Sequence, residues 1–223
     1  MKHEAWTSFS KFSYRYRDKS AVADIGGYMR AFRWGKYGLV FAGDFIVWFG
    51  YDVGPIQLDP IYADYYTWFG GFRELERGVL YLLLEHTCYH YIDRFDTLPL
   101  YWNALRLTYR ERDLEVSIGQ YIYDERYKFL SMGTDWSTDL KFFRRFVKPL
   151  GGGIGAFLDT RTFVALSRNY RKVYGTLDLS VGLEFRNQNG DLTLSVGYRP
   201  YDNTGIVRDA QAVPYVRLSA RGF

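Results

Sequence analysis

Residues 176–198 alternate apolar and polar side chains with a period of two, and this period constrains the chain more than any other feature. Leu177, Leu179, Val181, Leu183 and Phe185 take one face, while Thr176, Asp178, Ser180, Gly182, Glu184 and Arg186 take the other. A period of two is the signature of an extended strand with unlike faces. The Asn189-Gly190 step that follows supplies the positive φ angles of a tight hairpin turn. The return segment then sets Leu192, Leu194, Val196 and Tyr198 against Thr193, Ser195, Gly197 and Arg199. These residues predict an antiparallel strand pair.

The same alternation recurs at 36–49, 101–110 and 114–122, and candidate strands also cover 8–18, 21–34, 56–69, 78–91, 138–147, 153–167 and 212–222. That makes about 12 strands with turn residues between them and no helical period, so the expected class is all-β, in one domain spanning 1–223. The tract Phe142-Phe143-Arg144-Arg145-Phe146 is ambiguous in phase. A soluble sandwich would bury the apolar faces. A transmembrane barrel inverts the assignment, with leucines on lipid and charges such as Arg106, Arg110, Asp159, Arg161, Asp178, Glu184 and Arg186 inside.

Three features favour the antiparallel transmembrane β-barrel. Many strands span 10 residues or more, whereas strands of globular proteins have a mode of about 5–6 residues. Aromatic residues make up 20% of the chain and crowd strand ends, as at Tyr65, Tyr66, Trp68 and Phe69, which suits interfacial girdles. The last segment ends in Phe223, like the C-terminal signal of bacterial outer-membrane barrels, although Arg221, Ser219 and Arg217 occupy the phase of that phenylalanine. No apolar run reaches the roughly 20 residues of a membrane helix. Residues 1–6 lack the apolar core of a secretory signal, which leaves either a signal already removed or none.

The expected location is therefore the bacterial outer membrane, with the lipid bilayer and lipopolysaccharide as partners. The net charge of +4 is scattered among acids, which suits lipopolysaccharide phosphates and argues against nucleic acid. Loops near 52–60, 124–138 and 201–211, rich in Tyr, Asp, Gly and Pro, are where an envelope protein partner would dock, so a structural or adaptor barrel that anchors an envelope assembly is the leading functional expectation, with an enzyme as the alternative. No cofactor is expected.

One stretch departs from scaffold: Glu85-His86-Thr87-Cys88-Tyr89-His90-Tyr91-Ile92-Asp93 holds two of the three histidines and the single cysteine. On a strand His86, Cys88 and His90 share a face. A thiol beside imidazoles is the pairing of an activated nucleophile with a base. The face itself is undecided, because Val79-Leu80-Tyr81-Leu82-Leu83-Leu84 is apolar in both phases. A metal set of His86, His90 and Asp93 is disfavoured, since the Cβ atoms of i and i+4 on a straight strand lie about 13 Å apart.

The run His86-Thr87-Cys88-Tyr89-His90-Tyr91-Ile92-Asp93 resembles the His-Gln-Ser-Ser-His-Leu-Gly-Asp stretch of a family of bacterial outer-membrane proteins classed as a domain of unknown function. Both histidines and the aspartate match, while Thr87, Cys88, Tyr89, Tyr91 and Ile92 depart. Phe49-Gly50-Tyr51-Asp52 and Ile61-Tyr62-Ala63-Asp64-Tyr65 agree in outline. That resemblance implies an outer-membrane barrel and no particular reaction. His86-Thr87-Cys88 also resembles the His-x-Ser motif of outer-membrane lipid A deacylases. This second likeness implies His86 as general base, Cys88 as nucleophile, and Asp93 or Glu85 as the orienting carboxylate. His90 would then be a second base or an oxyanion donor.

Overall fold

The computed structural model describes residues 2–12, 20–50, 59–92, 100–122, 136–203 and 212–222. They form twelve strands: β1 (Lys2–Phe12), β2 (Ala21–Trp34), β3 (Tyr37–Gly50), β4 (Asp59–Glu74), β5 (Val79–Tyr91), β6 (Leu100–Arg110), β7 (Leu114–Ile122), β8 (Trp136–Gly151), β9 (Ile154–Ser167), β10 (Val173–Asn187), β11 (Gly190–Asp202) and β12 (Val213–Gly222). Each pairs antiparallel with its sequence neighbours, and β1 closes on β12 through the register Ala5↔Gly222 to Phe12↔Tyr215. The result is a closed antiparallel transmembrane barrel.

The two ends differ. Five connections of two to four residues (35–36, 75–78, 111–113, 152–153 and 188–189) lie at one end, the turn end. Gly152 and Gly153 take φ of 60° and 78° there, a conformation open to glycine at little cost. Connections of five to thirteen residues lie at the other, the loop end. The expected loops 52–60, 124–138 and 201–211 belong to that end and fall largely outside the described residues.

The period of two sorts side chains between lipid and lumen. Leu179, Val181, Leu192, Leu194 and Val196 are exposed on the outer wall, with Leu177 half-buried beside them, while Asp178 and Glu184 are buried within. The ambiguous tract resolves the same way: Phe142 and Phe146 are exposed outside, and Arg145 enters the lumen to grip Asp159 with two bonds of 2.7 Å. On β12, Val216 and Leu218 face out and Arg217 faces in. Its lipid face is thus the phase that Phe223 does not share.

Charge fills the lumen. Arg106, 3% exposed, is held bidentately by Glu85 at 2.8 and 2.9 Å and by Asp139 at 2.7 and 2.8 Å. A Cβ on Gly119 would stand 2.9 Å from that guanidinium, so glycine leaves it room. Arg199 grips Asp178 at 3.0 and 2.9 Å, and Arg186 pairs with Glu184 at 2.7 Å. Towards the loop end an aromatic layer takes over, with Trp136 packed among Tyr121, Tyr174, Trp102 and Phe163.

The sequence expectation starts β1 too late: the strand begins at Lys2 rather than at 8, and residues 13–18 of the expected range lie outside the described residues. Its large apolar residues Trp6, Phe9 and Phe12 recur every three positions, so no period of two marks its start. Pairing with β2 and β12 on both sides fixes that start instead. β4 likewise runs on to Glu74 rather than ending at 69, and residues 56–58 lie outside the described residues.

Replacing Arg106 by Met should destabilise the barrel by roughly 3–5 kcal/mol, because Glu85 and Asp139 would remain buried without their cation. Urea unfolding in detergent or vesicles measures this. A loss below 1 kcal/mol would mean that the lattice does not hold the wall.

Candidate functional site

The phase of β5 is set from inside. Glu85 is pinned in the lumen by Arg106 and by Trp68 Nε1 at 2.7 Å. Thr87 and Tyr89 are buried on the same face. Alternation then sends the even positions outward: Leu82 and Leu84 are half exposed on the outer wall, and His86 is exposed above them. His86, Cys88 and His90 therefore look into the bilayer. Glu85 is excluded as the orienting carboxylate, because its side chain is on the other side of the wall. Asp93 lies outside the described residues.

Two contacts organise the outward cluster. His86 Nδ1 meets Asn103 Oδ1 of β6 at 2.8 Å. With Nδ1–H donating to the amide oxygen, Nε2 is left as the proton acceptor. Cys88 Sγ meets His90 Nε2 at 2.8 Å. The thiol–imidazole pair in contact is thus Cys88–His90, with His86 and Asn103 a second pair beside it. Cross-strand register flanks Cys88 with Tyr65 on β4 and Tyr101 on β6. The His90 ring stands edge-on to Tyr65 at 5.4 Å between centroids, and His86 lies 6.1 Å from Tyr101.

Height matters for chemistry here. With a rise of about 3.3 Å per residue and a tilt of about 40°, Cys88 lies roughly 20 Å above Leu80 along the barrel axis. The apolar band of such barrels is about 25 Å tall. The thiol is near the loop-end edge of the band, where acyl esters meet head groups. Below it the wall is apolar, with Phe69, Leu82, Leu84, Leu105 and Leu107 all exposed.

Asn103 is the residue that sequence reasoning missed. It is 17 positions from His86 and on another strand, so no local motif contains it. A signal did exist: it shares the phase of Tyr101, Leu105, Leu107 and Tyr109 and is the amide in that apolar row. A polar side chain facing hydrocarbon is costly to keep and marks a functional position by default.

No protein-family model matches the chain, and no curated protein matches its sequence. Solved structures do match. The outer membrane phospholipase A of Escherichia coli aligns with TM-score 0.59 and 11% identity over 99% of this chain and 96% of that one. An asparagine-to-alanine active-site mutant of the same phospholipase aligns with TM-score 0.58 and 10% identity, over 99% and 90%. The NanC porin aligns with TM-score 0.51 and 10% identity over 98% of this chain and 99% of that one. At these identities the likeness is one of fold: a closed barrel of the outer-membrane kind.

If the His86–Asn103 pair serves chemistry rather than the fold, Asn103→Leu should unfold within about 1 kcal/mol of the native protein or above it, since a leucine suits lipid and one hydrogen bond nets only about 1 kcal/mol. Urea titration in lipid vesicles reads this directly. A loss greater than about 2 kcal/mol would return the pair to a structural role.

Proposed function

We propose that the protein is a bacterial outer-membrane hydrolase that cleaves an acyl ester of an outer-leaflet lipid. The observation that carries this reading is the outward-facing set Cys88, His90, His86 and Asn103 at the upper edge of an apolar wall. Nothing in the fold requires thiol, imidazole and amide groups on that surface, and each costs stability there.

In the proposed reaction His90 Nε2 takes the proton of Cys88 Sγ, and the thiolate adds to the ester carbonyl. The tetrahedral intermediate collapses with the imidazolium of His90 protonating the leaving alkoxide, which departs as an alcohol. A thioester on Cys88 remains. Water then attacks this thioester, and His86 Nε2, oriented through Asn103, removes the water proton. The intermediate collapses to a free fatty acid and the Cys88 thiolate, and the proton held by His86 returns to the sulfur, which restores the thiol and the neutral imidazole. This arrangement changes the roles expected from the His-x-Ser likeness: the histidine two residues after the cysteine activates the thiol, and the one two residues before it serves the water. Asp93 has no assigned role in this scheme.

The fold likeness to a phospholipase A, and to its mutant in which the changed active-site residue is an asparagine, agrees with this reading. Short turns at one end and long loops at the other match outer-membrane barrels whose loops face outward, which would put Cys88 in the outer leaflet. The resemblance to the histidine-motif family stays part of the proposal, as does the bilayer with its lipopolysaccharide as the source of substrate. The competing reading, a barrel that anchors an envelope partner, rests on loops that are mostly outside the described residues.

The test is mass spectrometry of outer-membrane lipids from cells expressing the native protein or Cys88→Ala. Loss of an acyl chain, from lipid A or from glycerophospholipid, should appear with the native protein only. His86→Ala and His90→Ala should each lower turnover by about 10²–10⁴-fold, the range of a general base. Unchanged lipids beside a well-folded barrel would sink the proposal.

A further inference from the structure

The outer wall carries three parallel rows of side chains that end at the candidate site. The strand registers define them without ambiguity. The upper row is Ile25↔Phe45↔Tyr65↔Cys88, the middle row is Gly27↔Gly43↔Thr67↔His86, and the lower row is Met29↔Phe41↔Phe69↔Leu84. The outer rows stand proud: Ile25, Tyr65, Met29, Phe41, Phe69 and Leu84 are all exposed. Their rings pack side by side, with Phe45 and Tyr65 centroids 4.9 Å apart and Phe41 and Phe69 5.0 Å apart. Between them, over β2 and β3, the middle row has no side chain at all. The result is a trough with aromatic banks and a glycine floor.

Its dimensions suit one hydrocarbon chain. From Gly27 to His86 it crosses three strand spacings, about 14 Å, and its banks are four residues apart along each strand, roughly 13 Å between backbones before side chains narrow it.

Gly43 is not a backbone necessity. A Cβ there would meet nothing closer than Tyr66 O at 3.6 Å, and its φ is not left-handed. Gly70 differs, because a Cβ there would fall 2.0 Å from Leu82 O. A strand glycine that the backbone does not demand forfeits stability and often marks close approach of another molecule.

Resting on the hydrolase reading, we infer that this trough holds the scissile acyl chain of the substrate, with Gly43 as the specificity-determining position; at Gly27 a Cβ would already meet Glu4 O at 2.9 Å. The chain lies along the glycine floor between Phe45–Tyr65 and Phe41–Phe69. Its ester reaches Cys88, whose bank residue Tyr65 also touches His90. A chain so held is fixed against the thiol, whereas chains elsewhere on the wall slide freely.

The experiment uses the full-length protein in detergent with two ester probes, p-nitrophenyl butyrate and p-nitrophenyl palmitate, and the variants Gly43→Leu and Gly43→Ala. Gly43→Leu should lower palmitate turnover at least about 10-fold more than butyrate turnover, with Gly43→Ala in between. Equal loss on both esters, or none on palmitate, overturns the trough. An activity-independent arm uses a phosphatidylethanolamine bearing a diazirine in its acyl chain, with crosslinks mapped by peptide mass spectrometry. Crosslinks should concentrate in 25–29, 41–45 and 65–69 and fade in Gly43→Leu. Even labelling of the whole outer wall overturns the inference. Concentrated crosslinks in a protein that hydrolyses neither ester would keep the trough and remove the hydrolase.

Discussion

A strand in hydrocarbon has no water to satisfy its N–H and C=O groups, so the ladder must close on itself. Closure of β1 on β12 meets that demand, and much else follows from it. With every strand paired on both edges, side chains have only two destinations, lipid or lumen. Most charged residues then go inside, where they must neutralise one another, Lys11 and Arg144 being exceptions on the outer phase. Arg106 between Glu85 and Asp139 is the centre of that arrangement. Because Glu85 is bound inward, the next residue must point outward, and so must Cys88 and His90. A lumenal ion pair thereby fixes the orientation of a group on the opposite surface.

The two surfaces treat polarity differently. In the lumen Arg106, Arg145, Arg186 and Arg199 each have a carboxylate at hydrogen-bond distance. On the outer wall His86 bonds Asn103 and Cys88 meets His90, with Tyr65 and Tyr101 packed beside them. Such groups bring no stability that leucines could not exceed. In the proposed reaction their use is chemical, with the bilayer both solvent and reservoir. A substrate ester would reach them by lateral diffusion at the right height, with no passage through the lumen. The charged lattice of the lumen has no atom among these outward groups.

Much of the fold was legible because lipid enforces alternation so strictly. The hairpin of β10 and β11 could be read residue by residue, including its turn at Asn189-Gly190. β1 could not, because its lipid face, with Ala5, Thr7 and Lys11, is barely apolar and its strand bounds come from its neighbours. The cluster was visible as a shared strand face. Which face was not, since Leu80 to Leu84 with Tyr81 would suit either side, and the deciding bond from Glu85 to Arg106 joins residues 21 positions apart. Asn103 was hidden for the same reason, as strand pairing rather than sequence proximity brings it to His86. The trough is the extreme case: its floor is an absence of side chains at Gly27 and Gly43, which only the registers align.

The central claim is that the lipid-facing thiol of Cys88 attacks an acyl ester. Intact-protein mass spectrometry after brief exposure to an acyl ester, quenched in acid, tests it most directly. The account predicts a single added acyl group, localised to the peptide containing Cys88, released by neutral hydroxylamine and absent from Cys88→Ala. In Asn103→Ala the adduct should accumulate, because the water-activating histidine is no longer oriented. A protein that turns over ester with no adduct on Cys88, or with full activity in Cys88→Ala, would contradict it.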